Sequence, residues 1–121
     1  MTASNSDLTL DPSVIEALRE LGGEEEPELF EELVTMFLDD TPGRIEALLE
    51  ALEAGDATTL ERTAHALKSS CGNLGARRLA SLCFEIESAG RAGDVEAARP
   101  LVGRSTDEFA AVAAALKSEL A

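Results

Sequence analysis

Apolar residues recur along the chain at intervals of three and four, the pattern of helices that each bury one face. After a polar opening from Met1 to Leu10, Asp11-Pro12 offers a capping carboxylate and a proline suited to the first helical position. Val14, Leu18 and Leu21 follow at helical spacing, and Gly22-Gly23 ends that segment. Glu24-Glu25-Glu26-Pro27 opens the next helix with negative charge where the helix dipole favours it, and Phe30, Leu33, Val34, Phe37 and Leu38 form its apolar stripe. Asp39-Asp40-Thr41-Pro42 predicts a kink or break there, with Thr41 capping a restart. Ile45, Leu48, Leu49 and Leu52 carry the stripe on to a stop at Gly55.

A third helix is predicted from Ala57 to Asn73, capped by Asp56, with Leu60, Ala64, Leu67, Cys71 and Leu74 on its inner side. Gly75 turns the chain into a fourth helix, Arg77 to Ala89, whose inward residues are Leu79, Leu82, Cys83 and Ile86. Gly90-Arg91-Ala92-Gly93-Asp94 reads as a loop. Val95 to Arg99 reads as one helical turn, and Pro100 predicts a kink or restart before a last helix through Leu101, Val102, Ser105, Phe109, Val112, Leu116 and Leu120. Short connections between amphipathic helices predict an all-α fold, an antiparallel four-helix bundle with an additional short N-terminal helix. Residues 1–10 are expected to form a disordered leader and residues 11–121 a single helical domain.

Composition narrows the function classes. A chain of 121 residues supports one core without staples, and 3% aromatic content suits helices better than a β-sandwich. A net charge of −14 argues against nucleic acid or an anionic membrane as partner. Cys71 and Cys83 fall on apolar stripes and read as small buried hydrophobes. With a single histidine they give no metal-ligand spacing, so no metal site is expected. No apolar run approaches the ~20 residues that span a bilayer. The first ten residues lack a basic segment and an apolar core, so a cytoplasmic protein is expected.

One segment departs from the acidic background. From Arg62 through Arg78 there is no Asp or Glu, while Arg62, Lys68, Arg77 and Arg78 supply four of the ten basic residues. The only histidine, His65, lies inside it, beside the buried stripe and in a row with Glu61, Lys68, Ser69 and Gly72. A local positive patch on an acidic chain can receive a phosphoryl group or an acidic partner. An imidazole, with an ordinary pKa of about 6.5, offers a nucleophilic lone pair near neutral pH. Gly72 within a helix costs ~1 kcal/mol relative to alanine, so something should compensate for it, and close approach of another backbone or protein surface is one candidate.

The run His65-Ala66-Leu67-Lys68-Ser69-Ser70-Cys71-Gly72-Asn73-Leu74-Gly75-Ala76 resembles the active-site helix of the histidine-containing phosphotransfer (HPt) domain family. That family's pattern is His-x-Leu-Lys-(Gly/Ser)-Ser, a small pair, a polar residue, an aliphatic one and Gly-Ala. Leu79-Ala80, Leu82-Cys83 and Ile86-Glu87 resemble its following helix, and Ser69 stands where the family often has glycine. The resemblance implies a four-helix bundle with His65 exposed partway along one helix. It implies that His65 takes a phosphoryl group on Nε2 from a receiver-domain aspartyl phosphate and passes it to another receiver aspartate. Lys68 would stabilise the phosphoryl oxygens, and Ser69 and Gly72 would leave room for the partner. Arg62, Arg77 and Arg78 are candidates for support of the phosphoryl group or for contact with the partner's acidic rim, and Arg77-Arg78 equally for a solvated first turn. The implied partners are response-regulator receiver domains and a hybrid sensor histidine kinase. Mg²⁺ is expected from the receiver, with no cofactor bound by this chain, no autonomous kinase activity, and a monomer. The docking patch is expected around Ala66, the surface beside Leu67, and Met36 or Phe37. Two other readings stand beside this one: a helical adaptor in which His65 is incidental, and an enzyme that pairs Cys71 or Cys83 with His65. The apolar positions of both cysteines weigh against the latter.

Overall fold

The computed structural model describes residues 9–120. They form five helices: α1 (Pro12–Gly22), α2 (Leu29–Ala54), α3 (Ala57–Asn73), α4 (Arg77–Arg91) and α5 (Val95–Leu120). No strand occurs among the described residues. α2 packs on α3, α3 on α4, α4 on α5, and α5 back on α2, which closes an antiparallel four-helix bundle joined by short turns. The core runs along its axis through Val34, Leu48, Leu60, Leu67, Leu79, Ile86, Val102, Val112 and Leu116. Burying each such side chain contributes about 1.5–3 kcal/mol. The rings of Phe37 and Phe109, 6.0 Å apart and tilted by 59°, join α2 to α5.

α1 lies over the turn between α3 and α4. Asp11 caps it, accepting hydrogen bonds from the Ser13 backbone N–H at 3.0 Å and the Ser13 hydroxyl at 2.7 Å. The Asp11 N–H donates to the Gly75 carbonyl at 2.9 Å, and the buried Asp11 carboxylate meets the Arg77 guanidinium at 2.6 Å. Gly75 has φ +78°, and a Cβ there would lie 3.0 Å from Val14, so both backbone and space require glycine at this seat. Most of the expected leader lies outside the described residues. Of its described end, Leu10 packs against the core and Thr9 accepts a hydrogen bond from Arg78, so the packed chain starts earlier than expected.

Neither proline breaks its helix. α2 runs unbroken through Pro42, and Thr41, expected as a cap, is buried and donates its hydroxyl proton to the Phe37 carbonyl at 2.7 Å. An interior proline costs ~3 kcal/mol. Here Val34 and Phe37 before it and Ile45 and Leu48 after it are all buried on one face, and their combined burial outweighs that cost. Pro100 likewise sits in the second turn of an unbroken α5, between buried Ala98 and Val102. The carbonyl it leaves without an N–H partner belongs to exposed Glu96, where water can serve instead. α2 also starts at Leu29 rather than in the Glu24–Pro27 run, and Glu31 and Glu32 supply the acidic first turn.

α4 continues two residues beyond the predicted end and takes in Gly90. A Cβ on Gly90 would lie 2.7 Å from the Glu61 backbone nitrogen and 2.8 Å from the Ala57 carbonyl oxygen. This glycine, read from sequence as a loop residue, is where the backbones of α3 and α4 touch. Gly72 is the reverse case, with nothing within 4 Å of a Cβ built there.

The two glycines should therefore respond oppositely to alanine in urea denaturation. Gly90→Ala must push α3 and α4 apart and should lose about 1–3 kcal/mol. Gly72→Ala should be neutral or gain up to about 1 kcal/mol. A harmless Gly90→Ala would show that the helices do not touch as described.

Candidate functional site

The contact at Gly90 fixes how side chains pair along the antiparallel α3 and α4. Glu61 meets Arg91, His65 meets Glu87, and Lys68 lies against Phe84, in step along the two helices. The His65 side chain is 62% exposed, whereas that of its partner Glu87 is 4% exposed. One Glu87 oxygen accepts from His65 Nδ1 at 2.8 Å and from Arg91 Nη2 at 3.0 Å, and the other accepts from Lys68 Nζ at 2.6 Å. Arg91 Nε reaches the Glu61 carboxylate at 3.0 Å. The Lys68 ammonium also stands 5.4 Å from the centre of the Phe84 ring.

These contacts assign the proton on the imidazole. The hydrogen bond from Lys68 holds Glu87 below the usual carboxylate range, His65 assists, and burial opposes. Glu87 is thus a carboxylate at neutral pH and can only accept. His65 Nδ1 must then carry the proton, and in the neutral ring Nε2 keeps its lone pair, facing solvent. A carboxylate behind the ring also stabilises positive charge that develops when Nε2 forms a bond. The site therefore presents an oriented nitrogen nucleophile.

The other expected residues divide. Ser69 and Gly72 are exposed on the same helix as His65, and Ser69 donates back to the His65 carbonyl at 3.3 Å. Arg62 lines the same shallow opening as Glu61, His65, Glu87 and Arg91. Lys68 is at the site, but its ammonium is engaged with Glu87. Arg77 and Arg78 are elsewhere: Arg77 pairs with Asp11, and Arg78 with Thr9 and Glu108. They start α4, about 15 Å along the helix from Glu87, so they tie α1 and α5 to the bundle and do not meet His65. Of the expected docking residues, Met36 is exposed while Phe37 is buried in the core. Ser70, on the α2 side, accepts from Arg44 at 2.8 Å.

Glu87, Arg91 and Phe84 are the site residues that sequence reading missed. Glu87 lies four residues after Cys83, so it falls on the buried face of α4, and a carboxylate on an apolar stripe needs a partner. That signal was available. Both cysteines are fully buried, and contact with Cys83 together with burial pushes the Cys71 thiol far up, away from nucleophilic use. Among the described residues no cluster of His, Cys, Asp or Glu is placed to hold a metal, and no helix is long and apolar enough to cross a membrane.

A family model described as the Hpt domain matches residues 32–118. Among solved structures, the chain is similar to histidine-containing phosphotransfer protein B (HptB) from Pseudomonas aeruginosa PAO1, with 36% identity, a TM-score of 0.85, and coverage of 93% of this chain and 95% of that chain. It shares its fold with histidine-containing phosphotransfer protein MtHPt2 from Medicago truncatula at 22% identity and a TM-score of 0.77, covering 93% of this chain and 81% of that one. No curated protein sequence matches.

Two measurements check the site. In a nitrogen-15 spectrum of the neutral ring, the single imidazole should show its proton on Nδ1; a proton mainly on Nε2 would sink the assignment. A carboxylate whose pKa is lowered on folding stabilises above its unfolded value, near 4.3, and that contribution is lost as pH falls through the folded value. The stability gap between wild type and Glu87→Gln should thus be widest above about pH 5 and narrow below about pH 4.

Proposed function

The chain belongs to the Hpt domain family and serves histidine phosphotransfer in phosphorelay signalling, and we propose that His65 is the residue that carries the phosphoryl group. The observation that supports this reading is the hydrogen bond from His65 Nδ1 to buried Glu87, which leaves Nε2 as an outward nucleophile. The donor is an aspartyl phosphate on a response-regulator receiver domain. The Nε2 lone pair attacks phosphorus, the N–P bond forms, and the bond from phosphorus to the aspartyl oxygen breaks, returning its electron pair to the receiver carboxylate. Glu87 neutralises the charge that develops on the ring. In the onward step a second receiver's aspartate attacks phosphorus, and the electron pair of the N–P bond returns to Nε2.

Little else is required of this chain, because transfer of this kind depends on positioning and charge. Mg²⁺ held by the receiver supplies neutralisation of the phosphoryl oxygens on that side. Ser69, Gly72 and Ala66 leave α3 low beside the imidazole, and exposed Phe84 and Met36 offer apolar footholds on the flanking helices. The role expected of Lys68 at the phosphoryl oxygens requires its ammonium to leave Glu87. A hybrid sensor histidine kinase is the proposed origin of the phosphoryl group, and the carrier works as a cytoplasmic monomer without kinase activity of its own.

The test uses several receiver domains charged by a small phosphodonor with Mg²⁺. Wild type should gain label that survives alkali and is lost in acid, and His65→Gln should gain none. Binding without label from every charged receiver would leave a helical adaptor in place of a carrier.

A further inference from the structure

Charge around His65 is almost balanced before any phosphoryl group arrives. Glu61 and Glu87 contribute two carboxylates, and Lys68 and Arg91 are both committed to them. Arg62 is the exception. It is exposed, lines the same opening as His65, and forms no ion pair among the described residues. The helix explains why: the positions three and four residues away are Thr58, Thr59, His65 and Ala66, none of them acidic. Asp56 feels its charge, but that carboxylate is engaged by Thr59.

We propose that Arg62 is the side chain that receives the phosphoryl group carried on His65, and that Arg62, rather than Lys68, draws the transfer equilibrium toward this protein. The inference rests on the phosphocarrier reading above. A phosphoryl group on Nε2 lies across the ring from Nδ1, and so away from the carboxylate that holds Lys68 and Arg91. For Lys68 to reach it, a contact of 2.6 Å must break and a buried carboxylate must lose a partner. Arg62 gives up only solvent. Its planar guanidinium can donate two parallel hydrogen bonds to phosphoryl oxygens, and it is the unbalanced positive charge at an opening that gains about two negative charges.

The experiment equilibrates a charged receiver with wild type, Arg62→Gln, Arg62→Lys and Lys68→Gln, and measures how label divides between the two proteins at low and raised salt. Affinity for the uncharged receiver is measured in parallel. Arg62→Gln should shift the division toward the receiver by about three- to tenfold, the size of one exposed charge-assisted hydrogen bond. Arg62→Lys should restore part of it, and raised salt should erode the wild-type advantage more than that of Arg62→Gln. Wild type that takes label, with an Arg62→Gln division unchanged, overturns this inference alone; a shift confined to Lys68→Gln assigns the role to Lys68. A fall in affinity for the uncharged receiver without a shift in division also overturns it, making Arg62 a docking residue. Wild type that takes no label overturns the carrier reading and this inference together.

Discussion

At Gly90 the backbone of α4 comes so close to α3 that a single methyl group would collide with the Glu61 nitrogen and the Ala57 carbonyl. Two helices in backbone contact have no freedom to slide, because their side chains interlock on both sides of the contact. The pairing of Glu61 with Arg91, His65 with Glu87, and Lys68 with Phe84 follows from that register. A slip of one residue would rotate Glu87 off the buried face and leave the imidazole without its anchor. Precision at the exposed ring therefore originates about one helical turn away, in a residue that touches no reacting atom.

The buried carboxylate is the other half of the arrangement. A lone carboxylate in this position would be costly, and three donors on two helices make it tolerable. The same three contacts keep it ionised, and its ionisation dictates which imidazole nitrogen bears the proton. An acidic protein can thus hold a local basic island without that island being uniformly available. Lys68 and Arg91 face inward onto Glu87, while Arg62 faces out.

Legibility in the sequence followed from how local the determining physics was. The bounds of α3, with Asp56 as its cap and Leu60, Ala64, Leu67 and Cys71 as its buried stripe, could be read directly because capping and periodicity are local. Pro42 and Pro100 misled because their cost is local while the burial that outweighs it comes from neighbouring helices. Gly90 misled in the same manner: a glycine beside Arg91-Ala92-Gly93 resembles a loop until another helix is laid against it. Arg77 and Arg78 belonged to the basic island in sequence only, since the turn at Gly75 carries them toward Asp11, Thr9 and Glu108. His65 was visible as the sole histidine, but its partner was visible only as an acid on the wrong face of its helix.

The anchoring of His65 through Nδ1 has one more consequence, for direction. The ring is tied to a buried group on a helix pair that cannot slide, so the carrier has a single geometry to offer any receiver. In the proposed carrier, loading and unloading pass through that same geometry. Nothing in such a peg distinguishes an upstream partner from a downstream one. The sense of signal flow must then be imposed from outside, by which receiver is abundant, which is charged, and how quickly each loses its own phosphoryl group to water.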